Sequence, residues 1–156
     1  MIAFNIPGEP IAFARAGSNG GQRFTPKRQR DFMAMVRLAS SNAMVGAQPF
    51  DGAVEMTVRA TYLVPKSWPK KRAEAAKWRT AKPDADNLAK IIADAMNTII
   101  YVDDSQIASL KVQKVYGPVA GVTVSVARLE TNSTIAAVSV RGGAVEAVES
   151  RLHSIA

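Results

Sequence analysis

From Val54 to Tyr62, apolar Val54, Met56, Val58, Ala60 and Tyr62 take every second place, with Glu55, Thr57, Arg59 and Thr61 between them. A period of two predicts a strand with one buried face, and Pro65 ends it. After Pro83 the period changes. Leu88, Ile91, Ile92, Ala95, Met96 and Ile99 form one apolar stripe, the mark of an amphipathic helix opening at Asp84. Phe32, Met35, Val36 and Ala39 predict an earlier helix from about Pro26 to Asn42, with Thr25 as its cap. Ile2–Ile6 reads as a short strand, followed by a loop too rich in Pro and Gly for a long element. Ser67 caps a short helix from Pro69 to about Trp78. Two strands, about Gln106–Tyr116 and Gly121–Leu129, are joined by the GPVAG turn, with Val122, Val124 and Val126 alternating with Thr123 and Ser125. Beyond Leu129 the pattern weakens to a strand over Thr134–Val140 and a helix over Ala144–Ile155. No internal repeat is present. These elements predict an α+β single domain, a small, mainly antiparallel mixed sheet with two or three helices. Residues 1–130 form the domain and residues 131–156 a C-terminal extension.

A chain of 156 residues with 47% hydrophobic content matches one compact core. The absence of cysteine excludes disulfides, thiolate catalysis and cysteine-based zinc sites, and fits a reducing, cytoplasmic setting. MIAFNIPGEP has no leader character, and no run reaches the roughly 18 apolar residues of a membrane helix.

Charge sharpens the picture. The net formal charge is +7, but residues 1–82 hold 14 Lys+Arg against 5 Asp+Glu, whereas residues 83–156 hold 6 against 8. The densest basic run, KSWPKKRAEAAKWRTAK, carries Lys66, Lys70, Lys71, Arg72, Lys77, Arg79 and Lys82 with Glu74 as its single acid. Such a density favours a polyanion, because each contact releases condensed counterions. A solvated helix face is the plain alternative.

The next stretch is acidic. KPDADNLAKIIADAMNTIIYVDD holds five of the seven aspartates: Asp84, Asp86, Asp94, Asp103 and Asp104. Asp86, Lys90, Asp94 and Asn97 follow one another at helical spacing, opposite the apolar stripe. Either Asp84 or Asp86 alone reads as a helix cap. Both can hardly cap the same helix, and TIIYV reads as a strand returning Asp103 and Asp104 toward it. Four converging carboxylates repel one another unless a cation joins them. Magnesium fits, since it takes oxygen ligands, keeps several waters and is held by few protein carboxylates. It would activate a water and offset charge at a phosphorus centre, with Lys90 steadying the phosphate. The alternative for Lys90 is an intrahelical pair with Asp86 or Asp94, worth only ~0.2–0.5 kcal/mol.

Other chemistries lack their residues. A calcium loop from Asp84 would need Gly at Ala89 and Glu at Ala95. No GxxxxGK[ST] phosphate loop exists, and the single histidine, His153, lies in the weak tail. A nucleophilic D-x-D motif needs an apolar strand ahead of it, and RTAKP is not one.

KPDADNLAKIIADAMN, a short apolar link, then VDDSQI and KVQKVYG resembles the RusA family of crossover-junction endodeoxyribonucleases, the phage-type Holliday-junction resolvases. The combination P-D-x-D-N-L-x-K followed by D-D-x-Q is far more specific than D-x-D, and GEPIAFARA with FTPK fits the family's opening pattern more loosely. The resemblance implies a homodimeric, magnesium-dependent hydrolase of bacterial or prophage setting, with manganese as substitute ion, that nicks two opposing strands of a four-way junction. It implies that Asp84, Asp86 and Asp104 bind the metal and that Lys90 is catalytic, with Asp103 adjacent. Lys66, Lys70, Lys71, Arg72, Lys77, Arg79 and Lys82 are the DNA-binding candidates, followed by Arg15 and Arg23. Two equivalent cuts call for a twofold dimer. A non-catalytic nucleic-acid-binding module and a magnesium nuclease of other branched DNA, such as flaps, remain the alternatives.

Overall fold

A computed structural model describes residues 1–13, 17–19, 22–130, 140–141 and 144–145. The first strand, β1 (Ile2–Pro7), precedes a small hairpin of β2 (Gly17–Asn19) and β3 (Gln22–Phe24), then helix α1 (Lys27–Ala43) and strand β4 (Val54–Leu63). A short helix α2 (Lys70–Ala75), helix α3 (Ala85–Met96) and a 3-10 turn (Asp104–Gln106) lead to strands β5 (Ile107–Gly117) and β6 (Gly121–Arg128). The four long strands lie in the order β1-β6-β4-β5. Both pairings of β6 are antiparallel and β4–β5 is parallel, which makes the sheet mixed and mainly antiparallel, as the sequence predicts.

Alternation in β4 puts Val54, Met56, Val58, Ala60 and Tyr62 on the buried face, beside Val122, Val124 and Val126 of β6. Phe32 and Val36 of α1 and Leu88, Ile91, Ile92, Ala95 and Met96 of α3 close over that face. Glu55, Arg59 and Thr123 lie exposed on the other face. The helices therefore cover one side of the sheet, and α3 is clamped by its apolar stripe with Asp86 and Lys90 exposed, while Asn97 lies past the helix end with its Oδ1 buried.

Several boundaries differ from the sequence reading, each for a local reason. Pro26 occupies the cap position of α1, so the helix starts at Lys27 and Thr25 lies outside it. Pro69 likewise caps α2, in place of Ser67. That helix stops at Ala75, not near Trp78, because the following residues pair with the edge of β5: Arg79 N donates to Lys114 O at 2.9 Å and Tyr116 N to Lys77 O at 3.0 Å. TIIYV is not a strand. Thr98 adopts a left-handed φ of 65°, and the chain turns so that Ile100 and Tyr101 enter the core, with Tyr101 bridging to Phe50. In the tail, Val140–Arg141 pairs antiparallel with Ala144–Val145, so Ala144 and Val145 are extended rather than helical. The rest of the expected strand over 134–140 and helix over 144–155 lies outside the described residues, as do Arg15 and His153. Among the described residues, no helix is long and apolar enough to cross a membrane.

Candidate active site

Asp84 supplies the backbone cap of α3, but its side chain makes no capping bond. Asp86 lies exposed in the first turn. Neither carboxylate takes a hydrogen bond or ion pair among the described residues, so Asp84 caps through its backbone alone and Asp86 answers only the helix dipole. One turn on, Lys90 Nζ lies 3.5 Å from Asp94 Oδ2 and 5.3 Å from the centroid of the Phe13 ring. Phe13 is drawn onto α3 by its backbone N–H, which donates to Asn87 O at 2.9 Å.

The two neighbouring aspartates after α3 have separate tasks. Asp103 is structural: its Oδ1 accepts the Ser105 N–H at 2.9 Å, and its own N–H donates to Gln106 Oε1 at 2.9 Å, completing a capping box. The bonds from Ser105 hold its carboxyl below the usual carboxylate range. Gln106 anchors the same turn from the other side, its Nε2 donating to Phe50 O at 3.0 Å and Gly52 O at 2.9 Å. Asp104 rides on this clamped turn, and its carboxylate has no hydrogen bond or ion pair among the described residues. The Q of D-D-x-Q thus serves to fix the turn that carries the second D.

Asp104 and Asp94 both act on Tyr101. Burial, then the charge of Asp104, then that of Asp94 push the phenol far above its ordinary range, so it stays neutral and donates to Ala93 O at 3.0 Å. This phenol ties the Asp104 turn to the last turns of α3. At the other end of α3, Asp84 lines a groove of about 460 Å³ with Glu9, Phe13, Tyr62, Arg79, Lys82 and Asn87.

Of the basic run, Arg79 and Lys82 line this groove. Lys66, Lys70, Lys71, Arg72, Lys77 and Lys82 are exposed, and α2 buries none of its side chains. Arg72 sits 3.9 Å over the Trp68 ring, which packs edge-on against Tyr116 at 5.3 Å. Arg79 differs, being half-buried, and its guanidinium stacks 4.3 Å from the Tyr62 ring. Arg23 falls in β3. Sequence reasoning quoted Gln106 within D-D-x-Q and Lys114 within KVQKVYG but gave neither a role. Lys114 left a trace, since it interrupts the apolar series Leu110, Val112 and Tyr116 on the core side of β5.

The donor set suits a hard cation, being carboxylate oxygens without internal partners. Among the described residues, no group of three acidic or imidazole side chains stands together as a ready-made cage. The meeting of four carboxylates expected from the sequence is therefore not found, and one or two of them, with waters and substrate phosphates, would have to complete a magnesium shell.

On this α+β scaffold, exposed cations and carboxylates without side-chain partners among the described residues share one stretch of chain, from Lys66 to Asp104. The protein's family follows from comparison with known proteins. The family described as Endodeoxyribonuclease RusA matches residues 7–127, and the chain belongs to that family. It is also 38% identical over 125 residues, 74% of this chain and 87% of the relative, to the uncharacterized protein YqaN of Bacillus subtilis (strain 168).

Proposed function

We propose that this protein is a magnesium-dependent endonuclease that resolves four-way DNA junctions by paired symmetric nicks, as a homodimer. Residues 1–130 form the nuclease unit and residues 131–156 an extension. One observation carries the site assignment. Of the five aspartates between Lys82 and Asp104, Asp103 caps a turn and Asp94 pairs with Lys90, whereas Asp84, Asp86 and Asp104 have no structural partner among the described residues. These three match the metal-binding positions of the family pattern.

In this reading Asp84, Asp86 and Asp104 would hold the ion, drawn together by it rather than preassembled. The ion, when bound, supplies an activated water and offsets charge on the phosphorus. Lys90 approaches a phosphate oxygen by exchanging Asp94 for it, a small change for a half-exposed pair. Lys66, Lys70, Lys71, Arg72, Lys77 and Lys82 draw in flanking backbone.

The test is a labelled four-way junction incubated with magnesium and, separately, with EDTA. Paired nicks that require magnesium, and disappear in Asp86→Asn while junction binding persists, are expected. Binding without any metal-dependent product would make the protein a non-catalytic module. Preferential cutting of flaps would move the substrate to another branch. Wild-type cutting by Asp86→Asn would remove the site assignment.

A further inference from the structure

The run immediately ahead of Asp84 has little to hold it. Among the described residues, Thr80 to Pro83 makes no backbone–backbone hydrogen bond, yet it sets where α3 begins and hence where Asp84 and Asp86 stand. Its three successive carbonyls are taken instead by two cations. Lys114 Nζ donates to Ala81 O at 3.0 Å and to Pro83 O at 2.7 Å, and Arg79 Nη2 donates to Lys82 O at 2.6 Å.

Both cations are themselves fixed to the sheet. Lys114 lies in β5 in register with Ala60 of β4, on the core-facing side. Arg79 is joined to Lys114 through its backbone N–H, and its guanidinium stacks on Tyr62, with Tyr116 5.8 Å away. Hydrogen bonds from a charged donor are about twice as strong as neutral ones, so three of them on adjacent carbonyls make a stiff tie.

We propose that Arg79 and Lys114 are positioning residues, a cationic latch that ties the 81–83 segment to the sheet edge and so orients Asp84 and Asp86, rather than contacts to DNA. The effect on cutting rests on the nuclease reading; the latch itself does not. A misplacement of about 1 Å at a reacting centre can cost about a hundredfold in rate, so the latch governs turnover and metal demand. A DNA contact would instead govern affinity and its salt dependence.

The variants are Lys114→Met, which keeps the apolar stem and removes the donors, and Lys114→Arg, which restores them. Hydrogen exchange at the amides of Leu88 to Ile91 reads the latch directly. About tenfold faster exchange in Lys114→Met, with β4 unchanged and recovery in Lys114→Arg, is expected. Unchanged exchange at Leu88 to Ile91, or equal acceleration in β4, overturns the latch. On junction DNA, Lys114→Met is expected to bind as wild type does in EDTA, but to need about tenfold more magnesium and to turn over ten- to a hundredfold more slowly. Lost affinity with unchanged magnesium demand would make Lys114 a DNA contact and overturn the proposal. Should wild-type protein cut no DNA, the nuclease reading falls, and exchange still decides the latch.

Discussion

Gln106→Ala removes three hydrogen bonds at once: the acceptor for Asp103 N–H at 2.9 Å and the donors to Phe50 O at 3.0 Å and Gly52 O at 2.9 Å. At about 1 kcal/mol net for each bond the loss is about 3 kcal/mol. Releasing a long side chain returns about 1 kcal/mol, leaving a cost near 2 kcal/mol. For a chain of this size that lowers Tm by roughly 4–8 °C. Gln106→Glu is the sharper perturbation, because it keeps the shape but turns a carboxylate oxygen toward two carbonyls. It is expected to cost more than alanine at neutral pH and to recover in acid, where a protonated carboxyl donates one bond again. Thermal and urea melts followed by circular dichroism measure both variants. An alanine variant within ~0.5 kcal/mol of wild type, or a glutamate variant no worse than alanine, would refute the anchoring role.

The neighbouring aspartates should separate cleanly: Asp104→Asn keeps the melt and loses junction cutting by at least about a hundredfold, while Asp103→Ala lowers the melt and retains magnesium-dependent cutting per folded molecule. Replacing Lys70, Lys71, Arg72 and Lys77 by alanine should flatten the dependence of log affinity on log salt by up to about 3.6, with unchanged slope removing these residues from the DNA surface. Stability should fall in alkali. Burial pushes Tyr62 from an ordinary value of 10.0 up to about 12, so its contribution is full below pH 10 and is lost as pH rises through 12. Tyr62→Phe, which removes a buried hydroxyl without a partner, should match or exceed wild-type stability at neutral pH and soften the alkaline loss; denaturant melts at pH 8 and 11 decide.

Much of this protein was legible along the chain. The alternation of β4 and the stripe of α3 gave their elements to within a few residues, because both bury one full face against the same core. The family pattern was equally plain, since P-D-x-D-N-L-x-K and D-D-x-Q are local motifs. Errors arose where distant residues compete. Helical spacing alone carried α2 on to Trp78, whereas β5 captured Lys77 and Arg79 for its edge. Which aspartate of the pair 103 and 104 is structural depends on Ser105, Gln106 and the remote Phe50 and Gly52 carbonyls. Arg79 and Lys82 looked alike in the basic run, but only Arg79 meets an aromatic ring from β4.

Strands β4 and β5 lie side by side and parallel, so everything from Val64 to Gln106 must loop out between them. Closing so long an excursion is entropically costly and slow, and its reward comes only when the two edges zip together. That excursion holds the cationic run, α3 and the Asp104 turn. A nascent or half-unfolded chain therefore owns the carboxylates without any frame to aim them, and for a member of the endodeoxyribonuclease RusA family this makes the acidic stretch wait on the completed sheet.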